Sequence, residues 1–205
     1  MTAANERDRA SSLAPIDNHA ALLAARKVTG PWYRCQSLAA VARYCPAKEV
    51  ERIADEAVKT AKRENDVYRQ VAPCAWVVRA LIERNRFAHA ERLVGELLTQ
   101  LTGDIHPVCR VDALDILFEA AWPYPPCRRR VLVVLVDACC STKSWRAGRL
   151  LAWVSLLVAN EDRAEGQRIL DRMSDTKHKR QAQRQMGQPL KYGVRGFFHY
   201  RPGDS

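Results

Sequence analysis

Glycine is scarce in this sequence: 9 residues in 205, with no two spaced to build a Gly-rich phosphate loop. That removes the usual nucleotide-binding fingerprints. Long apolar runs are missing as well. The longest is Val131–Val136, far short of a membrane span. The first dozen residues are polar, with no apolar core of a targeting signal. No cysteine pair has CxxC spacing, although Cys35, Cys45, Cys74, Cys109, Cys127, Cys139 and Cys140 are present. Most lie among apolar neighbours at helical spacing. They read as reduced, buried thiols in a cytoplasmic protein, neither bridges nor zinc ligands. The five histidines share no ligand spacing with cysteine or acid, so no metal is expected, and no cofactor. No serine sits in a nucleophile-elbow context, and long β-alternation is absent.

What remains is a basic chain of 47% hydrophobic and 27% charged residues, a globular composition. The net charge of +10 is unevenly spread. Residues 31–173 carry 22 basic and 18 acidic residues, a net +4. Residues 174–205 carry 7 and 2, a net +5, and lose aliphatic residues while gaining Gln, Gly, Lys and Arg. The chain therefore divides into an N-terminal segment (1–30), a balanced body (31–173) and a basic, aromatic tail (174–205).

The body has 3.6-residue periodicity. Val50, Ile53, Ala54, Ala57, Val58 and Ala61 share one helix face, as do Ala90, Leu93, Val94, Leu97, Leu98 and Leu101. Start and stop residues punctuate the pattern: Asp17, Asp66 and Ser144 as N-caps, Asn85 and Asn160 as interruptions, and prolines in first turns. The spacing predicts helices over 18–28, 32–45, 47–63, 67–85, 88–102, 107–122, 126–141, 144–159 and 161–185. Pro73 kinks the fourth of these or marks its true start. The fold class is all-α, a stack of about four antiparallel hairpins. An arginine opens the first helix of each, at Arg34, Arg69, Arg110 and Arg146, and a tryptophan lies in or beside each. Such periods indicate an α-solenoid.

Leu81, Phe87, Ala90, Val94 and Leu97 resemble the second half of a tetratricopeptide repeat. The other hairpins are similar to HEAT-like pairs, and the likeness covers about 33–173. It implies a scaffold for protein or nucleic acid and carries over no catalytic residue.

Three groups of residues qualify as sites. Arg128, Arg129 and Arg130 fall in a helix's first turn, where the helix dipole disfavours positive charge. Either a ligand compensates, such as phosphate or carboxylate, or intramolecular carboxylates do, with Asp112, Asp115 and Glu119 lining one face of the preceding helix. Arg146 and Arg149 extend that basic ridge one hairpin on. In the tail, Lys177, Lys179, Arg180, Arg184, Lys191, Arg195 and Arg201 interleave with Phe197, Phe198 and Tyr200. That mixture suits nucleic acid, a partner motif, or docking of the terminus on the body. The first reading is a non-enzymatic adaptor gripping an acidic segment of a protein partner. The alternative is a nucleic-acid-binding protein. Its remotest form resembles a helical-repeat DNA glycosylase, which uses an Asp in a Trp-lined groove; Asp112, Asp115 and Glu119 are the acids in that neighbourhood, and their other reading is one solvated stripe.

Overall fold

The computed structural model describes residues 2–188. Every regular element among them is a helix: α1 Ala3–Leu13, α2 Asn18–Lys27, α3 Pro31–Tyr44, α4 Val50–Ala61, α5 Val67–Val71, α6 Cys74–Glu83, α7 Phe87–Gln100, α8 Pro107–Ala121, α9 Pro125–Ser141, α10 Trp145–Ala159, α11 Arg163–Asp171 and α12 Lys177–Gln185. No described helix is long and apolar enough to cross a membrane.

The expected caps form. Asp17 accepts from the Ala20 amide at 2.9 Å, Asp66 from Arg69 at 2.8 Å, and Ser144 from Arg146 at 3.2 Å. Asn85 takes the left-handed conformation, φ 57°, and turns the chain from α6 into α7. Pro73 does start a new helix: α5 is a single short turn, and α6 begins after it. Three expectations need correction. Residues 47–49 form a turn, so α4 starts at Val50 and not directly after Pro46. The span 161–185 is two helices, because the chain breaks after Asp171 and Thr176 caps a new start. The polar N-terminus forms α1, unannounced by any apolar stripe; it buries Ala10, with its C-cap Ala14 also buried and Leu13 packed against the core.

Successive helices pair as α3 with α4, α6 with α7, α8 with α9, and α10 with α11. The first members of these pairs also pack in series, α3 on α6 and α6 on α8. A single core of alanine, valine and leucine runs through the described chain, with Phe118 its largest fully buried side chain. Small residues allow close approach. An added Cβ on Gly166 of α11 would lie 2.4 Å from the Ala159 Cβ of α10. Cys35 of α3 and Cys74 of α6 meet inside the core, and burial pushes the Cys35 thiol well up. α8 and α10 touch less than the pairs before them, and a groove opens between them. α12 packs across α10 and α11.

Candidate functional site

The groove between α8 and α10 has a volume of ≈ 570 Å³, within the range of small-molecule and peptide-anchor pockets. Helical spacing builds its α10 wall. Trp145, Arg149 and Trp153 follow one another at four-residue steps, with Arg146 and Leu150 beside them. Ser144 caps the helix and fixes the start of this wall. From α8 come Val111, Asp112 and Asp115, again one turn apart. The groove thus joins apolar, cationic and acidic side chains.

Trp145 is 62% exposed, a large apolar surface left in water. The Arg149 guanidinium carbon lies 5.1 Å from its ring centroid and that of Arg146 5.7 Å. Both are within cation–π range, so two cations share one exposed indole. Burial raises the Asp112 carboxyl above its ordinary value, and the positive Arg146 opposes that rise. Glu119, one turn beyond Asp115, is 0% exposed. The three acids are therefore not one solvated stripe, because α8 turns Glu119 into the core.

The arginine triplet at the start of α9 is divided among different tasks. Arg128 forms a two-bond fork with Glu161, at 3.0 and 2.6 Å, and donates to the Trp122 carbonyl. Arg130 donates to the Glu91 carbonyl at 3.1 Å and lies against Gly95. Arg129 is exposed. The compensation for charge at this helix start comes from α7 and from the α10–α11 turn.

Compared with protein-family models, curated proteins and solved structures, the chain matches none. The site therefore rests on its own geometry.

In the tail, Lys177, Lys179, Arg180 and Arg184 belong to α12. Lys179 donates to the Asp171 and Met173 carbonyls and so closes the end of α11. Arg180 faces Asp175 at 3.7 Å. Lys191, Arg195, Phe197, Phe198, Tyr200 and Arg201 lie outside the described residues. Among the described residues, no group of three His, Cys, Asp or Glu is arranged to hold a metal ion.

Arg146 and Arg149 are legible in the sequence, whereas Val111, Leu150 and Trp145 emerge as groove walls only in the fold. For Trp145 one signal is present: it directly follows the N-cap, where a helix's first residues commonly face solvent.

Proposed function

We propose that the chain is a non-enzymatic helical-repeat adaptor, an α-solenoid whose α8/α10 groove holds an acidic segment of a protein partner. The observation that carries this reading is the exposed Trp145 under two guanidinium groups, above a floor of Val111 and Leu150. Interface anchors are typically aromatic residues and arginines around an apolar centre. Arg146 and Arg149 would fork onto the partner's carboxylates, while Trp145 and Trp153 take an apolar side chain. Asp112 and Asp115 make the groove mixed in sign, which suits a peptide better than a uniformly charged backbone. Arg128 and Arg130 are engaged within the fold, which leaves Arg129 as the triplet's contribution to an outer contact.

The test is capture from the native host by the wild-type chain and by W145A/R149E, each with and without nuclease. A specific protein kept through nuclease treatment and lost from the variant supports the adaptor. Capture that vanishes with nuclease supports the second reading instead.

That second reading, nucleic-acid binding, is favoured by one observation: Asp112, its carboxyl raised by burial, lines a groove with two tryptophans and two arginines. In its glycosylase-like form Asp112 is the acid at work. An electrophoretic shift at low salt, and base release lost in D112N, are its tests.

A further inference from the structure

A second cleft, ≈ 510 Å³, lies on α2, α3 and α4, away from the groove described above. Five cations line it: Arg26 from α2, Arg34 from α3, Arg52 and Lys59 from α4, and Arg63 just beyond α4. Two carboxylates, Asp55 and Glu56, line it too, and both are already committed. Glu56 is held by Arg26 in two bonds of 2.8 Å, with Arg52 3.8 Å away, and the pair keeps its carboxyl below the ordinary value. Asp55 lies 3.0 Å from the His89 ring nitrogen Nε2. Arg52 is further tied to Glu49.

Three cations are left over. Among the described residues Arg34 donates only through its Nε, to the Val28 carbonyl at 2.9 Å, so its two terminal amino groups remain to donate. Lys59 and Arg63 form no ion pair among the described residues, and both are exposed. They stand four residues apart, where like charges repel. A cleft that gathers five cations, neutralises two and leaves three facing the same space has an unmet demand for negative charge.

We propose that this cleft binds a compact anion carrying several phosphate groups. Guanidinium and ammonium groups from three elements line one cleft, matching phosphate oxygens distributed over a small molecule. The cleft's volume is that of a small-molecule pocket. Multiple phosphates are required because the free cations are separate groups, each needing its own anionic oxygen. The inference is independent of the adaptor reading, which concerns the α8/α10 groove.

Calorimetric titration of the full chain with tripolyphosphate at low salt tests it. The K59E/R63E variant changes two exposed residues, so its helical circular dichroism should be retained. R34Q, a milder neutral change, provides a second variant. R92E/R168E makes the same change of net charge at exposed positions elsewhere. The expected result is binding that weakens about tenfold or more in K59E/R63E and in R34Q, while R92E/R168E behaves as wild type. Four results would overturn the proposal. The first is no binding of tripolyphosphate at low salt. The second is equal weakening in both charge-reversal variants, which would mean that net charge alone is sensed. The third is inorganic phosphate binding as tightly as tripolyphosphate. The fourth is a duplex oligonucleotide bound in a Lys59- and Arg63-dependent way by a cleft that ignores tripolyphosphate.

Discussion

Arg128 at the start of α9 and Glu161 in the turn between α10 and α11 join two hairpins through a fork of 3.0 and 2.6 Å. The same guanidinium lies 4.3 Å from the Trp122 ring centroid, and its side chain is only 16% exposed. The unfavourable place of an arginine in a first helical turn is offset by this pair, the ring and the Trp122 carbonyl together. R128A should lower stability by about 1–2 kcal/mol, more than an exposed ion pair would. A double-mutant cycle with E161Q, read by urea unfolding, should give a coupling of roughly 0.5–1 kcal/mol. R128K should recover only part, because an ammonium cannot make the fork.

Gly166 lets α11 close on α10. An added methyl there would also lie 2.6 Å from the Ser155 carbonyl oxygen, a backbone atom that cannot swing away. In an exposed helix, Gly→Ala gains up to about 1 kcal/mol. Here the clash outweighs that gain, and G166A should destabilise by about 1–3 kcal/mol. Thermal unfolding decides it: a melting temperature raised by the substitution would contradict the close approach.

Asp112 should show the reverse of the usual carboxylate behaviour. Its folded-state carboxyl is raised by burial, so the folded chain holds that proton more tightly than the unfolded chain does. The cost of keeping it ionised is present above the folded value and disappears as pH falls below the unfolded one. D112N should therefore raise stability at neutral pH, by less than about 1 kcal/mol because Asp112 is only partly buried and faces Arg146. The gain should vanish near pH 3. Urea midpoints of the two proteins across pH 3–7 provide the measurement.

Glu56 runs the opposite way. The Arg26 fork lowers its carboxyl, so the folded chain releases that proton more readily. Its contribution is present above the unfolded value and is lost as pH falls through the lowered one. R26M should reduce stability at neutral pH by about 0.5–1 kcal/mol, a modest amount because the pair is partly solvated. The difference should close on acidification through the carboxylate range.

Trp145 separates binding from stability. Its side chain is mostly in water, so W145A should change the unfolding free energy by no more than about 0.5 kcal/mol. Partner capture should nevertheless fall sharply. A large loss of stability would mean that the indole packs into the fold and is no anchor.

Much of the architecture is written locally. Asp17, Asp66 and Ser144 announce helix starts because a short oxygen-bearing side chain satisfies an orphan amide within three residues, and each of them does so. The apolar faces of α4 and α7 are legible because their positions recur every 3.6 residues. α1 escapes this reading: its one buried residue is Ala10, whose small surface gives little amphipathic signal. The unusual charge of Arg128–Arg130 is visible in the sequence, but its resolution is not. The Glu161 carboxylate that holds Arg128 and the Glu91 backbone carbonyl that holds Arg130 lie 33 and 39 residues away, and no local rule selects Glu161 from 23 acids. The same holds for both clefts. The sequence by itself determines most of the helices, several of their caps and the basic excess, because propensity, capping and periodicity act over a few residues. Only the tertiary structure decides which cations are neutralised, which stay free, and that Trp145 and Asp112 line one groove, because those depend on how separate hairpins pack.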